Sequence, residues 1–114
     1  MEVNRQVEVV EGNDSFQVEV RSGGKLIGFA NFFRTVVNGI AAWGARIDVK
    51  EKHKGKGVAT AALRAGDNHI RSNDPNGLRV FEDINDLSYR GYLDNIREED
   101  IVDVSQKGKI VFKP

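Results

Sequence analysis

Cysteine is missing from these 114 residues, so the chain has no disulfide framework, no thiol nucleophile and no thiolate metal site. Histidine is scarce. His53 and His69 are too few to point to a zinc centre, and no metal is expected. Net charge is lacking as well, because 17 Lys and Arg face 17 Asp and Glu. That balance argues against a general nucleic-acid or membrane-surface binder, since both usually present an excess of positive charge. No run is apolar for long enough to span a bilayer, and Met1-Glu2-Val3-Asn4-Arg5 lacks the apolar stretch of a signal peptide. These absences lead to the expectation of a cytoplasmic protein, with one domain over residues 1–114 and a modest core.

What is present is concentrated in Val49-Lys50-Glu51-Lys52-His53-Lys54-Gly55-Lys56-Gly57-Val58-Ala59-Thr60. A strand ends at Val49, a basic run with two glycines follows, and a helix opens at Val58. Glycine admits positive φ and close backbone approach. The free N–H groups of a helix start, its positive dipole end and the nearby lysines together suit an anion, most naturally phosphate. The competing reading is an ordinary glycine-bearing strand–helix connection.

Period-2 alternation upstream predicts four strands. They cover residues 3–10, Phe16 to Arg21, Leu26 to Val37 and Ile40 to Val49, with Val37-Asn38-Gly39-Ile40 as a type I′ hairpin turn. Trp43, Ala45, Ile47 and Val49 share one face of the fourth strand, and with the phenylalanines they read as core. The period then changes to 3.6, with Ala59, Ala62, Leu63, Gly66 and Ile70 forming a narrow stripe on a helix from Val58 to about Arg71. A short strand follows at Leu78 to Phe81. Asp83 can cap a second helix carrying Ile84, Leu87, Ser88, Gly91 and Tyr92. Ile101 to Val104 and Lys109 to Phe112 read as a closing hairpin around Ser105-Gln106-Lys107-Gly108. The order ββββ-α-β-α-ββ predicts an α+β fold with a mixed, mostly antiparallel sheet and two helices.

In this arrangement Lys54-Gly55-Lys56-Gly57-Val58-Ala59 resembles the signature Arg/Gln-x-x-Gly-x-Gly/Ala of the GCN5-related N-acetyltransferase (GNAT) superfamily, with lysine in the Arg/Gln place. Val49, Thr60 and Leu63 match common choices around it. The resemblance covers the chain from about residue 16 to the end. It implies acetyl-CoA as co-substrate, its diphosphate on the backbone from Gly55 to Thr60 and its pantetheine arm along Ile47, Asp48 and Val49. Asn85, Ser88 and Tyr92 have the spacing of the family's second motif, although the Gly-Phe that usually follows is absent. By that resemblance Tyr92 is the acid that protonates the departing thiolate, with Tyr89 competing for the role.

Two departures stand out. The family usually inserts helices between its first two strands, and here only a turn fills that gap. The acceptor side would therefore be open, or completed by a second copy in a homodimer. The glutamate base that many members carry on the fourth strand is replaced by Ala41. Glu82 and Asp83 are the nearest candidates, beside a water chain or an amine that is already neutral, and helix capping competes for both residues. The leading expectation is an acetyl-CoA-dependent N-acetyltransferase acting on an amine, with a protein or peptide favoured as acceptor. The alternative is a catalytically weak GNAT-fold CoA-binding module that regulates or inhibits a protein partner. A third option is another phosphate-rich ligand, such as a nucleotide, on the same turn.

Overall fold

The computed structural model describes residues 5–82, 84–105 and 107–114, with the backbone alone at Leu87. Val3, Asp83 and Gln106, to which the sequence assigned roles in a strand, a cap and a turn, lie outside the described residues.

Seven strands form one sheet in the order β1-β2-β3-β4-β5-β7-β6. They are β1 Arg5–Glu11, β2 Ser15–Ser22, β3 Lys25–Val37, β4 Ile40–Val49, β5 Arg79–Phe81, β6 Ile101–Val104 and β7 Ile110–Phe112. All neighbours are antiparallel except β4 and β5, which run parallel and share a single register pair, Trp43 with Arg79. The two helices are α1 Val58–Asn73 and α2 Arg90–Leu93. The element order is the one the periodicities predict. Asn38 and Gly39 both take positive φ (51° and 79°), as a type I′ turn requires.

The main core lies between α1 and the sheet, where alternate residues of β2 and β3 (Phe16, Val18, Val20, Ala30, Phe32) meet Val58, Ala62, Leu63 and Ile70. Gly66 lets the helix come down on the Phe32 ring, because a Cβ there would lie 2.0 Å from that ring. Trp43 joins this core and Ala45, Ile47 and Val49 pack against it, in line with the predicted face. Phe29 and Phe33 do not. They lie on the other side of β3 and are only half-buried. Ala42, Val80 and Val111 make a small second cluster.

The second helix is shorter than the sequence suggests. A 3-10 turn at Leu87–Tyr89 leads into the single α-helical turn of Arg90–Leu93. Ser88 and Gly91 are weak helix formers, and Asn95 bonds back to the Gly91 carbonyl (2.8 Å), so little local preference sustains a longer helix.

Candidate functional site

The glycine-bearing turn has the shape of an anion cradle. Gly55 and Gly57 sit at φ 76° and 80°, so the chain reverses sharply into α1, and no side chain caps the helix. The first helical bond runs from Ala61 N–H to Gly57 C=O (3.0 Å). The N–H groups of Val58, Ala59 and Thr60 therefore project from the helix start, where the dipole is positive.

Beside the cradle the sheet splits. Trp43 N–H reaches the Leu78 carbonyl (2.6 Å), and β4 and β5 have no register pair beyond it. Backbone groups alternate along a strand. Lys50 N–H points back to Ile27 C=O (2.9 Å), so the odd-numbered residues Ala45, Ile47 and Val49 turn their N–H and C=O groups into the split. A cleft of about 500 Å³ results, within the usual range for ligand sites. The strand Ile47–Val49, the turn from His53 through Thr60, and Asp86, Ser88 and Tyr89 wall it. A smaller cavity of about 210 Å³, lined by Ala45, Arg46, Leu63, Arg79 and Glu82 among others, shares Ile47, Asp86 and Tyr89 with it. The split is thus open along β4.

Nine of the expected cofactor-binding residues meet here, since Ile47, Asp48, Val49, Lys54, Gly55, Gly57, Val58, Ala59 and Thr60 all line the cleft. Lys56 lies in the same turn, where its carbonyl accepts from Arg5 Nη2 (2.5 Å). Lys54 is drawn onto Glu51 (3.0 Å), whose carboxylate raises its pKa. Asn85 is exposed next to Asp86 and does not line the cleft. Glu82 lines the smaller cavity, with Lys109 Nζ at 3.3 Å.

The two tyrosines separate clearly. Tyr92 is 3% exposed and turns away from the cleft. Its hydroxyl donates to Asp67 Oδ2 (2.5 Å) and accepts from Arg79 Nη2 (3.3 Å). Burial pushes its phenol far above the ordinary value. Burial also pushes the Asp67 carboxyl upward, with Arg79 pulling against it. Tyr89 is the tyrosine in the cleft, set edge-on to Phe81 (5.1 Å between ring centres). Its pKa is raised, first by partial burial and then by Asp86, with Lys54 acting against both.

Three features escaped the sequence reading. Arg5 reaches the turn from fifty-one residues away, and only tertiary structure could reveal it. Asp86 stands where the two cavities meet. The buried pair of Arg79 and Asp67 did leave a trace, since Asp67 lies next to Gly66 and one turn from Leu63 and Ile70, inside the apolar stripe. Among the described residues, no group of three or more His, Cys, Asp or Glu side chains is placed to hold a metal ion. No helix among them is long and apolar enough to cross a membrane.

A mixed α+β sheet, parted at its one parallel junction over a glycine-led helix start, defines the acyltransferase type of fold. Residues 3–92 match the model of the acetyltransferase (GNAT) family, and the chain belongs to that family. No curated protein and no solved structure matches the chain.

Proposed function

We propose that the chain transfers an acetyl group from acetyl-CoA to an amine. The observation that carries this reading is the meeting of the uncapped α1 start with the unpaired edge of β4, in a member of an acetyltransferase family. Acetyl-CoA supplies the thioester that is broken. The N–H groups of the turn and of Val58, Ala59 and Thr60 receive its diphosphate, and Lys56 and Arg5 add positive charge at the rim. Ala45, Ile47 and Val49 present main-chain groups to the amides of pantetheine, as a neighbouring strand would. An N–H in the stretch Ile47–Val49 polarises the thioester carbonyl.

Tyr89 takes the role of acid in place of Tyr92, because it faces the cleft while the hydroxyl of Tyr92 is already committed to Asp67. The amine nitrogen bonds to the acetyl carbon as the carbon–sulfur bond breaks. The Tyr89 proton goes to sulfur, and the proton shed by nitrogen goes to Glu82, Asp86 or water. The acceptor enters through the smaller cavity, whose Glu82 and Asp86 suit a cationic amine. Only residues 12–14 join β1 to β2, with no helix between them, which favours an extended acceptor such as a peptide. The second reading, a CoA-binding module that regulates a partner, draws on the exposure of Glu82 and its pairing with Lys109.

Thermal shift with acetyl-CoA, CoA and ATP, followed by an acetylation assay on amine-bearing peptides, tests both readings. Transfer activity, a shift with both CoA species and loss of that shift in Gly57→Glu are expected. A CoA shift without transfer to any amine leaves the binding module. No CoA shift, or one unchanged in Gly57→Glu, eliminates both.

A further inference from the structure

We propose that Arg79 is the wedge that parts β4 from β5, making it the positioning residue that holds the split open. β4 and β5 begin as an ordinary parallel pair at Trp43 and Arg79, closed on one side by the Trp43 N–H bond to Leu78 C=O. In a parallel ladder the next bond toward the cleft would run from Ala45 N–H to Val80 C=O. That carbonyl already holds a charged donor on one of its two acceptor positions. Arg79 Nη1 donates to Val80 C=O (2.7 Å) and also to Trp43 C=O (3.0 Å). One guanidinium nitrogen therefore bridges carbonyls of the two strands at the point where they separate.

The rest of the guanidinium is anchored so that this nitrogen cannot leave. Nε donates to Asp67 Oδ1 (2.7 Å), Nη2 donates to Tyr92, and the rings of Phe32 and Phe112 lie 5.2 Å and 5.6 Å away. The side chain has no exposed surface. Arginine suits the position because its planar fork carries five donors and stays charged, whereas lysine offers three donors from one point. A buried ion pair is weak evidence for stability, and apolar residues of similar size often hold a fold as well. The placement of Nη1 gives the pair another purpose. With the wedge removed, Ala45 and Val80 are free to bond, and strand spacing would contract toward about 4.8 Å. Ala45 and Ile47, which line the cavity below the wedge, would then be covered.

The wedge itself does not depend on the acetyl-CoA reading, and only its effect on ligand affinity does. Amide hydrogen exchange on the free protein therefore tests it alone. In the native chain, Ala45 N–H should exchange at least tenfold faster than Trp43 N–H, and equal protection of the two overturns the proposal without any variant. In Arg79→Met combined with Asp67→Asn, which leaves no lone buried carboxylate and keeps a partner for Tyr92, protection of Ala45 should rise at least tenfold. Acetyl-CoA affinity should fall at least tenfold. If that pair does not fold, Arg79→Lys keeps the charge beside Asp67 and should move exchange the same way. Unchanged Ala45 exchange in whichever variant folds overturns the wedge. A native chain that shows the exchange pattern but binds no acetyl-CoA overturns the proposed function and leaves the wedge standing.

Discussion

Tyr92 and Asp67, twenty-five residues apart, are joined by a buried hydrogen bond of 2.5 Å from the phenol to Oδ2. A phenol in that position supports α2 against α1 and does not line the cleft. Tyr92→Phe should therefore cost about 1.5–3 kcal/mol of stability, the usual range for losing a hydrogen bond to a charged group, and leave kcat within about twofold of native. Tyr89→Phe should do the reverse, lowering kcat by about 10²–10⁴ with little change in the unfolding midpoint. Urea titration and initial rates on both variants decide the matter. A deep loss of kcat in Tyr92→Phe at unchanged stability would return the acid role to Tyr92.

The surroundings of Tyr89 fix the sign of a pH effect. Partial burial and the charge of Asp86 hold the phenol protonated above its ordinary value, and Lys54 opposes them. The acid form then persists through neutral pH, and kcat should fall only above about pH 10. Asp86→Asn removes a charge that disfavours the phenolate, so the alkaline limb should move to lower pH. Lys54→Met removes a charge that favours the phenolate, so the limb should move higher. The position of the limb in a pH–kcat profile is the readout, because its height also reflects proton transfer to Asp86. Shifts in the same direction for both variants would exclude Tyr89 as the titrating group.

The parts of the fold that were legible in the sequence are those set by local chemistry. Alternation in β2, β3 and β4, the Asn38-Gly39 turn and the small-residue stripe of α1 each state their geometry within a few residues. The turn before α1 was legible for the same reason, since glycine admits the positive φ that Gly55 and Gly57 adopt. What escaped depended on phase and on distant partners. Spacing along the chain selected Tyr92, but the face a tyrosine presents depends on where the helix begins. Here a 3-10 turn carries Tyr89 into the cleft before the α-helical turn starts. The bonds that Arg79 makes where β4 and β5 part were not legible, because they reach Trp43 and Asp67 across thirty-six and twelve residues.

Gly66 tests how closely α1 must sit on the sheet. A Cβ at this position would fall 2.0–2.7 Å from three atoms of the Phe32 ring, which has no exposed surface. Gly66→Ala gains helix propensity of about 1 kcal/mol, but it must displace either the ring or the helix, and overpacking costs roughly 1–3 kcal/mol. Net destabilisation by denaturant titration is expected. Lifting α1 would also carry its N-terminus away from the end of β4, so acetyl-CoA affinity should weaken as well. A Gly66→Ala protein more stable than the native chain would show that the contact is not tight.

Lys54 stands in the position where the family signature usually has Arg or Gln, and its ammonium is 3.0 Å from Glu51. Both side chains are exposed, so the pair contributes little to folding. On the proposed reading its effect falls on ligand binding, because the carboxylate of Glu51 offsets positive charge beside the turn that receives the diphosphate. Glu51→Gln should therefore leave the unfolding midpoint essentially unchanged. It should also tighten CoA binding by a few-fold at low ionic strength. That gain should fade as salt rises toward about 0.5 M, because interactions between exposed charges are screened more strongly. Titration of CoA by calorimetry at two salt concentrations gives the answer. An affinity that is unchanged at low salt would show that Lys54 does not act on the diphosphate, and would leave the backbone N–H groups of Val58, Ala59 and Thr60 as its principal partners.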